Sequence, residues 1–154
     1  MDYITVKWLH ILSSTLLFGT GLGSAFYMYF TSRSRDVRAI AVVVKYVVLA
    51  DWLFTTTTII LQPLTGFYLV HLAQFPLSSA WIMWSIALYF IAGACWIPVV
   101  WMQIKMRNMA QAAVANNSEL PPLYWRYLRF WTALGVPAFF ALTAVFYLMV
   151  AKPV

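Results

Sequence analysis

Charge is scarce in this chain, and acidic charge is scarcer than basic charge. Of the 154 residues, 9% are charged and four are Asp or Glu, whereas 64% are hydrophobic. This composition excludes an ordinary soluble domain and is typical of an integral membrane protein. Each span needs about 20 apolar residues to cross a hydrocarbon core of ~30 Å. A chain of this length therefore holds four spans and leaves no room for a soluble catalytic domain.

Cysteine and the common catalytic motifs are also nearly absent. Cys95 is the only cysteine, so no internal disulfide can form, and we expect it to be a small packing residue. The sequence has no nucleophile with a base, no paired catalytic carboxylates, no phosphate-binding Gly-rich loop and no CxxC motif. We therefore expect that the protein is not an autonomous enzyme. The first apolar run is too long for a signal peptide, so we interpret it as the first span.

Four apolar blocks predict an all-α fold, an integral membrane four-helix bundle in a single domain over residues 1–154. Pro63, Pro98 and Pro137 each lie inside a block and predict kinked helices. The predicted spans cover about 3–30, 51–72, 80–104 and 128–150, with a helical extension at about 37–50 and a cytoplasmic loop at about 106–126.

The basic residues predict the orientation of these spans. The net charge of +6 comes mostly from the first and third connections, whereas the second connection, "AQFPLSS", has no charge. By the positive-inside rule, both termini lie on the outer, periplasmic side of the bacterial inner membrane. We therefore expect no nucleic-acid partner. The cations that flank the first and third connections are Arg33, Arg35, Arg38, Lys45, Lys105, Arg107, Arg126 and Arg129.

The two histidines are the main candidate functional residues. His10 lies about two turns inside the first span, and Lys7 lies one turn before it on the same face. His71 lies at the outer end of the second span, so both histidines belong to the same leaflet. Polar side chains within spans usually face the bundle interior, so His10 is a functional candidate. The alternative is that His10 only forms a hydrogen bond to a neighbouring helix.

Imidazole is a common axial ligand of haem iron and a common metal ligand. The sequence thus suggests a haem b site in which His10 is the axial ligand, Lys7 lies near the propionates and His71 is a possible second ligand. Met83 and Met149, near the outer ends of their helices, are rival ligands for haem or for copper. Packing in the core or against lipid is the ordinary role of each methionine.

Several other polar or small residues have a structural and a functional interpretation. Gly19 and Gly23 form a small-xxx-small pair that favours close helix packing, which a homodimer could use, and the alternative is that they make room for a flat cofactor. Asp51 is expected to pair with Arg126 or Arg129, with a proton-relay role as the alternative. Gln62, beside Pro63, is expected to satisfy the backbone carbonyl groups that the kink exposes, or to contact a ligand.

Four stretches resemble a family of small bacterial integral membrane proteins of unknown function: "LHILSSTLLFGTGLGSAF", "ADWLFTTTTIILQPLTGFYLV", "AWIMWSIALYFIAGACWIPVVWMQIKMR" and "YLMVAKPV". More distantly, the first-span "LH" and the four-span layout resemble HemJ-type protoporphyrinogen oxidases and copper-resistance D membrane domains. The HemJ resemblance implies that His10 binds haem b. The HemJ-type W-x-K motif is absent, since this chain reads Trp81-Ile82-Met83, so we do not expect protoporphyrinogen oxidation.

Three hypotheses about function follow from these residues. In the first, the protein is a membrane-embedded b-type haem protein that transfers electrons, with a membrane or periplasmic redox partner. In the second, it handles copper or another metal at the outer face, with ligands from among His10, His71, Met83 and Met149. In the third, it is a non-catalytic assembly or helper subunit that binds no cofactor. In all three the chain is embedded in the lipid bilayer.

Overall fold

The computed structural model describes residues 2–153, and within that range all regular structure is helical. This confirms the prediction of an all-α fold. Only short connections separate the helices, and no strand occurs between residues 2 and 153. The elements are α1 (Tyr3–Ser34), α2 (Val37–Ala50), a π-helical turn (Asp51–Thr55), α3 (Thr56–Leu72), α4 (Ala80–Ala115) and α5 (Pro122–Ala151).

Local sequence signals explain where these helices begin. Asp2 caps α1, because its carboxylate accepts hydrogen bonds from the hydroxyl and the backbone N–H of Thr5 at 2.6 and 3.3 Å. Asp36 caps α2 in the same way, by accepting from the backbone N–H groups of Arg38 and Ala39. Pro122 occupies the first turn of α5, where its missing N–H costs nothing.

Three helices are long and apolar enough to cross a membrane: α1, α4 and α5, with 32, 36 and 30 residues. At ~1.5 Å per residue each is about 45 Å long or longer, which exceeds a ~30 Å hydrocarbon core. The predicted loop at about 106–126 is therefore mostly helix, and only residues 116–121 connect α4 to α5. The buried Ala110 and Ala113 show that α4 continues to pack beyond its most apolar stretch.

The helical extension predicted at about 37–50 is α2, and it is continuous with α3. The π turn between them keeps the chain helical, and the backbone N–H of Thr56 bonds to the carbonyl oxygen of Asp51, five residues earlier. One extra residue in a helical turn rotates the side chains that follow it. The π turn therefore sets which residues of α3 face α1 and which face the interior.

Most of the buried core lies where the basic residues cluster. Here α1, α2, α4 and α5 pack together, and the hydroxyl groups of Ser32 and Tyr124, both fully buried, form a hydrogen bond of 2.7 Å. The Arg35 guanidinium lies 5.6 Å from the ring of Trp125. We call this region the basic end. Its core includes Met28, Ile40, Val44, Val47, Met102, Met106, Ala110, Tyr124 and Leu128.

The opposite end holds the start of α1, the end of α5 and residues 73–79. Lys152 lies 4.9 Å from the ring of Phe75 and 5.7 Å from that of Trp81, so the C-terminal residues pack on the α3–α4 connection. Away from the basic end, α1 packs mainly on α3, and α4 packs mainly on α5. The space between these two pairs is a cavity.

Candidate functional site

His10 joins α1 to α3 through its imidazole ring. Its Nδ1 lies 2.7 Å from the Thr65 hydroxyl, which is itself 2.6 Å from the carbonyl oxygen of Leu61. The carbonyl can only accept, so the single Thr65 proton points to Leu61, and the hydroxyl oxygen accepts from His10. In a neutral imidazole this assigns the proton to Nδ1 and the lone pair to Nε2.

Gln62 and Gly66 complete this α1–α3 junction. The Gln62 amide nitrogen donates to the backbone carbonyl of His10 at 3.0 Å and to the Ser13 hydroxyl. At Gly66, an added Cβ would lie 3.3 Å from Cε1 of the His10 ring, which is closer than an ordinary van der Waals contact. The absence of a side chain at Gly66 thus lets the ring lie against α3.

Pro63 leaves one backbone carbonyl of α3 without its helical donor, and a residue that the sequence prediction missed satisfies this carbonyl. Pro63 has no N–H to donate to the carbonyl oxygen of Ile59, four residues earlier. The Tyr89 hydroxyl of α4 donates to that oxygen at 2.6 Å. The prediction that Gln62 serves the exposed carbonyl groups of the kink is therefore wrong, because its amide is engaged with α1. A tyrosine hydroxyl can reach the Ile59 oxygen because α4 faces α3 at this level.

The other predicted ligands are not brought to His10. Lys7 and His71 are exposed, as are Met83 and Met149, which are 58% and 37% accessible. The Lys7 ammonium group lies 5.7 Å from the Tyr3 ring. His71 follows Thr65 by six residues, which is about 9 Å along α3 and about 120° around it. Within residues 2–153, no three His, Cys, Asp or Glu side chains form a group able to hold a metal ion.

Asp51 is buried without the predicted arginine. Its carboxylate accepts a hydrogen bond from the Thr55 hydroxyl at 2.8 Å, and the side chain of Gln103 lies beside it. Arg126 and Arg129 are both exposed on the first turns of α5. The expected ion pair is therefore replaced by a local hydrogen bond across the π turn. The sequence shows that Thr55 lies four residues after Asp51, so this hydrogen bond could have been predicted. The sequence does not show which residues of α5 lie at the level of Asp51, so the position of the arginines could not.

The glycine pair of α1 is not used for packing inside the chain. A Cβ added at Gly19 or Gly23 would have no described neighbour within 4 Å. Gly21, between them, lines the interior cavity. The close helix contact expected from the small-xxx-small spacing does not form within the described chain, so the homodimer stays a prediction.

A central cavity of about 470 Å³ lies between the α1–α3 pair and the α4–α5 pair. It includes Asp51, but His10 is outside its lining. The sequence reading missed three of its residues, Trp96, Gln103 and Trp131. A glutamine inside an apolar block is the signal that could have pointed to Gln103.

Comparison with known proteins adds the family but no activity. No curated protein and no solved structure matches the chain. The family model described as "Predicted integral membrane protein (DUF2269)" matches residues 4–153. The chain thus belongs to this family of integral membrane proteins.

Proposed function

We propose that this protein is a membrane-embedded b-type haem protein with an electron-transfer role, and that His10 is its axial ligand. The supporting observation is the hydrogen bond from His10 Nδ1 to Thr65. Histidines that bind metals usually donate their other ring N–H to a fixed acceptor, which sets the tautomer and the ring orientation. Thr65 does this for His10, and Nε2 is left as the ligand atom. A bound haem would supply a one-electron carrier.

The residues around His10 fit one axial ligand better than two. Gly66 lets the ring lie against α3, and the Gln62 bond to the His10 carbonyl fixes the backbone of α1 at the same level. His71, Met83 and Met149 are exposed on other helix faces or other helices. A second axial ligand from this chain would need one of them to move, so we propose His10 as the protein's main ligand.

The proposal includes four spans, with both termini on the outer side of the bacterial inner membrane. Its support is that α2, the π turn and α3 form one continuous helical segment beside the three long apolar helices. The clustering of arginines and lysines at the basic end supports the orientation, since such clusters remain cytoplasmic. In this arrangement His10 lies in the outer leaflet.

The test is the visible spectrum of purified protein after haem-replete expression, oxidised and then reduced with dithionite. His10→Asn is the informative variant, because the asparagine amide keeps a donor near the position of Nδ1 but has nothing at Nε2. We expect a Soret band in the wild type and no Soret band in His10→Asn. In Thr65→Val the band should remain but at a shifted wavelength. His71→Asn is the matched control and should leave the spectrum unchanged. A wild-type protein without a Soret band would refute the proposal.

A second candidate is the helper-subunit role, and one observation favours it. The hydrogen bonds among His10, Ser13, Gln62 and Thr65 join α1 to α3 whether or not a cofactor is present. In that case His10→Asn, which keeps the donor, should fold and function like the wild type. His10→Leu should then loosen the α1–α3 contact and lower the unfolding temperature.

A further inference from the structure

The central cavity contains an unusual set of unpartnered polar atoms. In the described part of the chain, three buried side-chain atoms lack a hydrogen-bond partner: the indole nitrogens of Trp96 and Trp131 and the amide oxygen of Gln103. All three residues line this one cavity, and Gln103 and Trp131 are only 2% and 6% accessible. Buried polar groups are nearly always paired, so three orphans around one space indicate a missing occupant.

The backbone turns further polar groups toward the same cavity. The π turn spans Asp51–Thr55, and its first and last residues, Asp51 and Thr55, both line the cavity. Single π turns inside α-helices are rare and occur often at functional sites. The Asp51 carboxylate accepts from the Thr55 hydroxyl at 2.8 Å, and the side chain of Gln103 lies beside it. This polar cluster is separate from the His10 junction, because His10, Gln62 and Thr65 do not line the cavity.

The rest of the wall is mostly apolar and reaches the outer surface of the helices. Phe18 and Phe139 pack with ring centroids 5.2 Å apart, and both line the cavity. Other lining residues, among them Leu22, Phe26 and Phe140, are more than half accessible on the outer faces of α1 and α5. An occupant can therefore enter from the lipid with its apolar part in contact with these side chains.

We propose that this cavity binds a lipid-soluble molecule with an uncharged hydroxyl head group, such as a phenol. The Trp96 and Trp131 indoles lack an acceptor and the Gln103 amide oxygen lacks a donor, and a hydroxyl group can act as either. A carboxylate head has no donor for Gln103 and would meet Asp51, and an ammonium head has no acceptor for the indoles. The aromatic wall formed by Phe18 and Phe139 favours a ring next to the hydroxyl group.

The test is an NMR measurement of the indole N–H signals. The full-length protein is isotope-labelled on tryptophan and kept in a detergent without hydroxyl groups. The chain has eight tryptophans, and Trp96→Phe and Trp131→Phe identify the two cavity signals by their loss. The probe is para-octylphenol, and octylbenzene, which lacks only the hydroxyl group, is its control. We expect para-octylphenol to shift the Trp96 and Trp131 signals saturably, and octylbenzene to leave them unchanged. The signal of Trp101, which lies outside the cavity, should stay constant.

Removal of the acceptor tests the same site independently of the tryptophans. Gln103→Met keeps the shape but not the amide oxygen, and we expect about tenfold weaker binding of para-octylphenol, equivalent to ~1.4 kcal/mol. Gln111→Met, at an exposed position of the same helix, is the matched control and should bind like the wild type. Three results would overturn the proposal. They are equal signal shifts from para-octylphenol and octylbenzene, equal binding by Gln103→Met and Gln111→Met, and exchange of the Trp96 and Trp131 signals with bound water when no probe is present.

Discussion

The Tyr89 hydrogen bond to the Ile59 carbonyl makes a sharp prediction, because Pro63 is the reason that this carbonyl needs a donor. Replacing Tyr89 with Phe removes the donor and leaves the oxygen unpaired. Hydrogen bonds between helices in membranes contribute about 0.6 kcal/mol on average, up to about 1.7. An unsatisfied buried group adds to this loss. We expect Tyr89→Phe to lower the free energy of unfolding by about 1.5 kcal/mol.

The double-mutant cycle with Pro63→Ala isolates this effect. Alanine restores an N–H that can donate to the Ile59 oxygen within α3, so Tyr89→Phe in that background should cost only about 0.5 kcal/mol. The difference of about 1 kcal/mol is the coupling between the two positions. Unfolding free energies of the four proteins, from SDS titration in mixed micelles followed by circular dichroism, provide the measurement. If Tyr89→Phe costs the same within about 0.3 kcal/mol in both backgrounds, the reasoning fails.

Two further predictions concern the two ends of the molecule. At the basic end, Tyr124→Phe should lower the free energy of unfolding by about 1 to 2 kcal/mol, because it leaves the buried Ser32 hydroxyl without its partner. The additional change Ser32→Ala should recover part of this loss in the same titration, and no recovery would contradict the assignment. At the other end, the Thr5 hydroxyl and backbone N–H lower the pKa of Asp2 below its ordinary value of 3.8. The cap's contribution is thus complete above that value and is lost as the pH falls through the lower pKa of the folded protein. Asp2→Asn, which keeps a cap without a titrating group, should lose this pH dependence in thermal unfolding as the pH is lowered below 3.8. Equal pH dependence in both proteins would exclude the cap as its source.

Composition and hydropathy by themselves determined the class of this protein and its helical secondary structure. Long apolar blocks in a membrane have to be helical, because each backbone polar group must be satisfied within its own segment. Pro63 has no N–H, so the sequence also predicts a kink there. A lone histidine in an apolar block is a candidate functional residue, because polar side chains are costly in lipid. The tautomer of His10 depends on Thr65, 55 positions away, and no local pattern contains that pairing.

Only the tertiary structure decided which polar residues meet. Helix rotation and register determine whether Asp51 faces an arginine of α5 or Gln103 of α4, and the π turn changes that rotation within one helix. Hydropathy is insensitive to such rotations, since apolar residues cover nearly every face of a helix in lipid. The donor for the Ile59 carbonyl and the unpartnered atoms around the central cavity therefore became apparent only once the helices were packed.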